Sequence, residues 1–190
     1  KTGAGVAKAL LGKDVLSDDL PYVTGSIGLL GSRPSYEMMR DCDTLLIGGS
    51  NFPYSQFLPK FGQARAIQID IDGTAIGMRY PTEVNIVADA GAALGAILPL
   101  LEPKTDRKWR DTVEHNVSRW WDIVERQCML SARPVNPMRV AWELSQRIPS
   151  NAIVTADSGS STNWYARCLK FRGEMRGSLS GTLATMGPAV

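Results

Sequence analysis

A single histidine, His115, stands among 190 residues, and that scarcity narrows the chemistry. It argues against a histidine-based metal centre, and against a Ser-His-Asp triad built within this chain. Cysteine is also scarce. Cys42, Cys128 and Cys168 lie far apart with no CxxC pair, which fits free thiols in a reducing compartment better than a disulfide frame or a zinc site. No apolar run is long enough to span a bilayer, and no signal-peptide pattern is read ahead of the first strand. Basic blocks are missing too: 21 Lys and Arg against 19 Asp and Glu leave a net charge of +2, so nucleic acid is not an expected partner. What remains is an ordinary folded balance, 44% apolar and 21% charged, which argues against disorder.

The order of the segments is informative. VAKALLGKD is a short apolar run followed by a polar loop. GSIGLLGSRP is broken by glycines ahead of the short helix SYEMMRDCD, with Ser35 read as its N-cap and Met38 and Met39 on its inner side. TLLIGGSN reads as a buried parallel strand that opens into a loop at its carboxyl end. RAIQIDID repeats this, and NIVADAGAALGAILPLLE is a strand, a turn at Asp89 and an alanine-rich helix. Alternating units of this length predict an α/β fold, a parallel sheet flanked by helices, with ligands at the carboxyl ends of the strands. Gly48, Gly49, Asp70 and Asp89 are expected there. The composition changes at EPKTDRKWRD, and from Asp106 to about Leu130 Val113, Val117, Trp120, Trp121, Val124 and Met129 recur at helical spacing. After SARPVNP a further helix is predicted, with Asn136 as N-cap, Pro137 at its first position, and Val140, Leu144 and Ile148 on its apolar face. NAIVTADSG is then a fresh strand and STNWYARCLKF a helix.

Local chemistry is sharpest at AIVTADSGSSTNW. A strand ends at Asp157, turns through Gly159 and enters a helix behind Ser160, Ser161 and Thr162. Free backbone N–H groups at a helix start, with hydroxyls beside them, suit a phosphate; the same residues also serve as plain helix caps. LIGGSNFPY places two glycines at a strand end without the GxGxxG spacing of a dinucleotide turn. Asp70 and Asp72 suit either a ribose or turn formation. In the closing stretch SGTLATMGPAV, Met186 sits between Gly181 and Gly187, as core filler or as a ligand contact.

Taken in order, ALLGKD, TGSIGLLG, DTLLIGGSNFPY, IQIDIDGTAIG, LPLLEPKTDRK, the DSG…NWYARCLK run and ATMGPAV resemble the thiamine-diphosphate enzymes of the pyruvate oxidase and acetolactate synthase family, on the side of the quinone-reducing bacterial pyruvate oxidases. The resemblance covers nearly the whole chain. It implies a Rossmann-like central domain of the NAD/FAD-binding type at 1–102 lacking its first strand, a helical linker at 103–135, and the first strand-helix unit of a truncated diphosphate-binding domain at 136–190. By that resemblance Gly159 and Ser160 hold the diphosphate, and Met186 is the apolar wedge that bends thiamine diphosphate. Ala184 offers it a main-chain carbonyl. The adenine-nucleotide part of FAD falls to Gly25, Ser26, Gly49, Ser50, Asn51, Asp70, Ile71 and Asp89. The expected cofactors are thiamine diphosphate, Mg2+ and FAD, and the expected substrate is pyruvate or another 2-keto acid.

No catalytic or metal-ligating residue is expected in the chain itself. The resemblance places the catalytic glutamate before it and the metal motif after it. Both ends accordingly read as cuts, the chain is expected to be inactive alone, and its residues from about 172 on are expected to be poorly ordered or held by non-native contacts. A homo-oligomer (dimer or tetramer), a cytoplasmic location and a peripheral membrane or quinone contact complete the expectation. Acetolactate synthase, or a non-catalytic nucleotide-binding module, is the alternative.

Overall fold

The computed structural model describes residues 1–181 and 183–187; Pro188, Ala189 and Val190 of the closing run, and Thr182, lie outside the described residues. Two compact units are formed: Lys1–Gly3 with Tyr36–Arg107, and Ala4–Ser35 with Lys108–Val190.

In the first unit, β3 (Thr44–Gly48), β4 (Arg65–Asp70) and β5 (Val84–Val87) form a parallel sheet in the order β3-β4-β5, with Leu46, Ile67 and Val84 in one row. The strands are rich in Ile, Leu and Val, as predicted for a parallel sheet. Leu45, Ala66 and Tyr80 are buried together, with Met39 and Ile47 against them. Leu46 is 51% exposed, so β3 is not buried along both faces as its composition suggested. The connections 49–64 and 71–83 contain single 3-10 turns, Ser55–Phe57 and Gly73–Ala75. Pro53 and Pro59 in the first of these cannot continue a helix. Gln68 is buried in β4, where its amide donates to Ala75 O at 3.1 Å and accepts from Gly77 N at 3.0 Å, which fixes the second connection. Helix α2 (Ala90–Ile97) follows β5, capped by the Asp89 carboxylate accepting from Ala92 N at 2.8 Å.

The second unit pairs β1 (Val6–Lys8) with β2 (Val23–Ser26), and β6 (Ile153–Ala156) with β7 (Arg176–Leu179), both in parallel. Its helices are α3 (Lys108–Cys128), α4 (Pro137–Arg147) and α5 (Ser160–Arg167). Helix α1 (Arg33–Asp41) contains the division between the units. It starts three residues before the expected point, and Ser32 rather than Ser35 caps it, its hydroxyl accepting from Ser35 N at 3.2 Å. Ser35 instead turns its own hydroxyl inward, 2.7 Å from Thr24 Oγ1.

Asn136 behaves as expected. Its carbonyl accepts from Met138 N while its amide donates to Gln127 O and Cys128 O, so one side chain starts α4 and closes the end of α3. The apolar face of α4 differs from the prediction. Trp142 is buried with Val124, Cys128 and Cys168, while Val140 and Leu144 are 54% and 46% exposed. The large indole, with Met138 and Ala141 beside it, sets which way the helix turns.

Strand β7 was not foreseen, and the described residues 175–179 are packed rather than loose. Phe171, Met175 and Leu179 form one core cluster with Tyr165 and Leu169, and β7 pairs with β6 over its full length. Gly177 in β7 lies where a Cβ would come 2.1 Å from Tyr165 Oη, so only glycine fits.

All three thiols are free. Cys128 and Cys168 are fully buried hydrogen-bond partners, and burial, with Cys168 alongside, pushes the Cys128 thiol up to about 12. Cys42 is half-buried. A thiol reagent should therefore modify at most Cys42 in the native protein and all three in urea, as read by reagent absorbance. Rapid labelling of Cys128 in the native state would contradict this packing.

Candidate functional site

Gly159 is the pivot of the β6–α5 turn. Its backbone sits at φ 105°, ψ −147°, a conformation open in practice to glycine alone. Gly159, the N-cap residue, brings no side chain to α5, and a Cβ there would meet nothing within 4 Å among the described residues, so the turn faces open space. Both Gly159 and Ser160 are exposed. The hydroxyls of Ser161 and Thr162 do not join the cradle. They donate back to Asp157 O at 2.7 and 2.8 Å, which leaves the backbone N–H groups at the helix start and Ser160 as the groups suited to an anion. Replacing Gly159 by Ala should lower stability by about 1–3 kcal/mol through the forced backbone change, measured as a shift of the denaturation midpoint. An unchanged midpoint would show that the turn relaxes freely.

Some 20 residues further on in the chain, the Ser180–Gly187 turn comes to the same place. Gly187 N donates to Asp157 Oδ1 at 2.8 Å, Ser158 Oγ donates to Ser180 O at 3.0 Å, and Ser158 N donates to Thr185 O at 3.4 Å. The Ser180 hydroxyl accepts from Thr185 N and Thr185 Oγ1 at 3.2 and 2.8 Å. Ala184 lies at φ 50°, a left-handed conformation that costs a non-glycine residue roughly 1 kcal/mol. Met186 projects from this turn 85% exposed. Four of the sequence-picked residues, Gly159, Ser160, Ala184 and Met186, thus belong to two turns tied by hydrogen bonds. Sequence reasoning missed the residues that tie them, Asp157, Ser158, Ser180 and Thr185. Their only signal was a run of short polar side chains at two strand ends.

In the first unit, Gly48 ends β3, Asp70 ends β4 and Asp89 follows β5, so the expected strand ends do lie side by side. Gly49 has φ 56°, and its N–H donates to Ile69 O at 2.9 Å. Asp70 is buried and accepts from Asp72 N, Ile71 is 76% exposed, and Asn51 accepts from Arg79 Nε at 3.0 Å. Gly25 and Ser26 belong to the second unit, in β2. There Gly25 has φ 99°, and the buried Ser26 hydroxyl finds no partner among the described residues. No group of three or more His, Cys, Asp or Glu among the described residues could hold a metal ion. No helix among them is long and apolar enough to cross a membrane.

An open helix start joined to an exposed apolar side chain in one α/β unit suits a ligand with an anionic tail and an apolar body. The chain belongs to the thiamine pyrophosphate enzyme family: residues 1–97 match that family's central domain. Along 98% of its length it is 33% identical to a Bacillus subtilis protein named for containing thiamine pyrophosphate, covering 32% of that protein. It is 27% identical to the pyruvate oxidase of Lactiplantibacillus plantarum over 94% of this chain and 30% of the oxidase. Identity to the acetolactate synthase large subunit of Pyropia yezoensis is also 27%, over 96% of this chain and 31% of the subunit. The chain therefore spans about a third of the length of these curated relatives.

Proposed function

We propose that the protein is part of a thiamine-diphosphate- and Mg2+-dependent 2-keto acid enzyme of the pyruvate oxidase type. The observation that carries this is the joined pair of turns, an exposed helix start at Gly159–Ser160 with glycine at its N-cap and the Met186 turn held to it. The residues fit the cofactor on their own chemistry: backbone N–H groups for the diphosphate, a large exposed thioether side chain for the ring system, and the Ala184 backbone for the aminopyrimidine. Bound thiamine diphosphate supplies the electron sink that lets a 2-keto acid lose carbon dioxide. The chain's part is to bind and orient. The start of α5 neutralises anionic charge, and the left-handed backbone at Ala184 presents main chain where an extended segment would not.

Residues 1–102 would be the central domain, 103–135 the linker and 136–190 the opening of the diphosphate-binding domain. The adenine-nucleotide part of FAD would lie against Gly49, Ser50, Asn51, Asp70, Ile71 and Asp89, and the left-handed Gly49 at the carboxyl end of β3 supports a nucleotide there. Gly25 and Ser26 are a separate candidate in the second unit, where the buried Ser26 hydroxyl finds no partner among the described residues. A homo-oligomer working in the cytoplasm, at most peripherally on a membrane, completes the reading. The similarity to acetolactate synthases supports carboligation as the second reading. Anaerobic addition of pyruvate to the full-length enzyme of which this chain would be a part separates the two. Bleaching of a bound flavin favours the oxidase; acetolactate without bleaching favours the synthase; neither product nor bleaching overturns both.

A further inference from the structure

We propose that Asp157 is a positioning residue that, with Ser180, clamps the Met186-bearing turn onto the start of α5. Three contacts radiate from Asp157. Its carboxylate Oδ1 accepts from Gly187 N at 2.8 Å, next to Met186 in the chain. Its main-chain oxygen accepts from the hydroxyls of Ser161 and Thr162, in the first turn of α5. One residue at the end of β6 therefore sets both the helix start and the apolar turn. Ser180, one residue past β7, closes the other side: its carbonyl accepts from Ser158 Oγ and Ala184 N, and its hydroxyl receives both donors of Thr185. Strands β6 and β7 are adjacent, so the two clamp residues stand on a common hydrogen-bonded base, with Ala156 opposite Leu179. The exposed Met186 side chain, which has no packing to hold it, is placed by these polar contacts. A left-handed Ala184 between them persists only because the surrounding bonds over-determine it.

The clamp makes a prediction whose sign differs from that of simple electrostatics. Asp157 is an anion beside a helix start suited to anions, so as a bare charge its removal would tighten binding of a phosphorylated ligand. As a clamp, its removal frees the turn and weakens binding. The binding arm rests on the thiamine diphosphate reading above; the exchange arm does not.

The experiment compares wild type, Asp157→Ala, Asp157→Asn and Ser180→Ala by amide hydrogen exchange without ligand, and by titration with thiamine diphosphate and Mg2+. In Asp157→Ala the Gly187 amide is expected to exchange about tenfold faster, the scale of one charge-assisted hydrogen bond. The amides of β6 and β7 should keep their protection, which excludes general unfolding. Asp157→Asn retains an acceptor and should recover most of the Gly187 protection. Ser180→Ala should speed exchange at Thr185 in the same way. Thiamine diphosphate should bind about tenfold more weakly to Asp157→Ala, with recovery in Asp157→Asn. Unchanged Gly187 exchange in Asp157→Ala, or tighter binding, overturns the clamp. If wild type binds no thiamine diphosphate, the cofactor reading falls, and the Gly187 exchange still decides the clamp. Should Asp157→Ala lose protection in β6 and β7 as well, Asp157→Asn and Ser180→Ala carry the decision.

Discussion

Replacing Asp18 by Ala should lower the unfolding free energy by about 3–5 kcal/mol, much of the total for a domain of ordinary stability. Asp18 is buried between two equally buried lysines: Lys8 Nζ lies 2.8 Å from one carboxylate oxygen and Lys13 Nζ 3.1 Å from the other. It also binds Phe171 from both sides of the chain, accepting from Phe171 N at 2.8 Å and donating its own N–H to Phe171 O at 2.7 Å. Alanine at this position leaves two buried ammonium groups without their counter-charge and one buried N–H without its acceptor. The lysines keep some partners, since Lys8 also donates to Lys13 O and Leu16 O, and Lys13 to Ala166 O. Urea unfolding followed by tryptophan fluorescence measures the effect. A loss below about 1 kcal/mol, typical of a surface pair, would show that these charges are solvated.

The same carboxylate gives a pH dependence with a definite sign. Burial works against its ionisation, but the charges of Lys13 and Lys8, with hydrogen bonds from Lys8 and Phe171 N–H, outweigh burial and hold the Asp18 carboxyl below its usual range. A group whose folded value is depressed contributes stability that is fully present above its unfolded value, about 3.9, and is lost as pH falls through the lower folded value. Wild type should therefore lose stability below about pH 4 by more than Asp18→Ala does.

Phe171→Ala should also cost about 3–5 kcal/mol. The ring is 1% exposed, meets Tyr165 edge-on at 5.4 Å, and carries the Lys13 ammonium 5.4 Å from its centroid. Its removal empties the centre of the cluster on which β7 lies, so the cavity adds to the lost transfer energy. Because the Lys13 ammonium contacts both the Asp18 carboxylate and the Phe171 ring, the two substitutions should not add: the double variant should lose less than the sum. Additive losses in a thermal or urea series would separate the ion cluster from the aromatic core.

These two effects fall where the sequence was least legible. Strands β3, β4 and β5 were readable because Leu, Ile and Val cluster in short runs that end in Gly48, Asp70 and Asp89. Helix α4 was readable at its start, because Asn136 before Pro137 is a local cap with a local cause. Its buried face was not, since Trp142 wins its place only through packing against Cys128 and Val124, residues of another helix. Strand β7 (RGSL) carries one large apolar residue and a glycine. It is held by pairing to β6 and by the room Gly177 leaves for Tyr165, and neither shows in a local window. The Lys8–Asp18–Lys13 cluster is legible only in space, because Lys8 ends a short strand while Lys13 and Asp18 look like ordinary solvated loop charges.

The candidate site divides the same way. Gly159 and Ser160 stood out through a strand-glycine-helix pattern, which is local. Ala184 and Met186 came from resemblance to a family rather than from their own neighbours. That Ser161 and Thr162 turn back to Asp157, and that Asp157 also reaches Gly187, depends on two segments meeting, and only the folded chain shows it.

The most direct test of the account is a calorimetric titration of thiamine diphosphate with Mg2+ into the protein and into its Gly159→Ala variant. Saturable heat with wild type, lost or weakened at least about tenfold when the glycine-only turn is forced out of shape, is the predicted result. No heat with wild type, or equal binding by both proteins, would contradict a cofactor site at the start of α5.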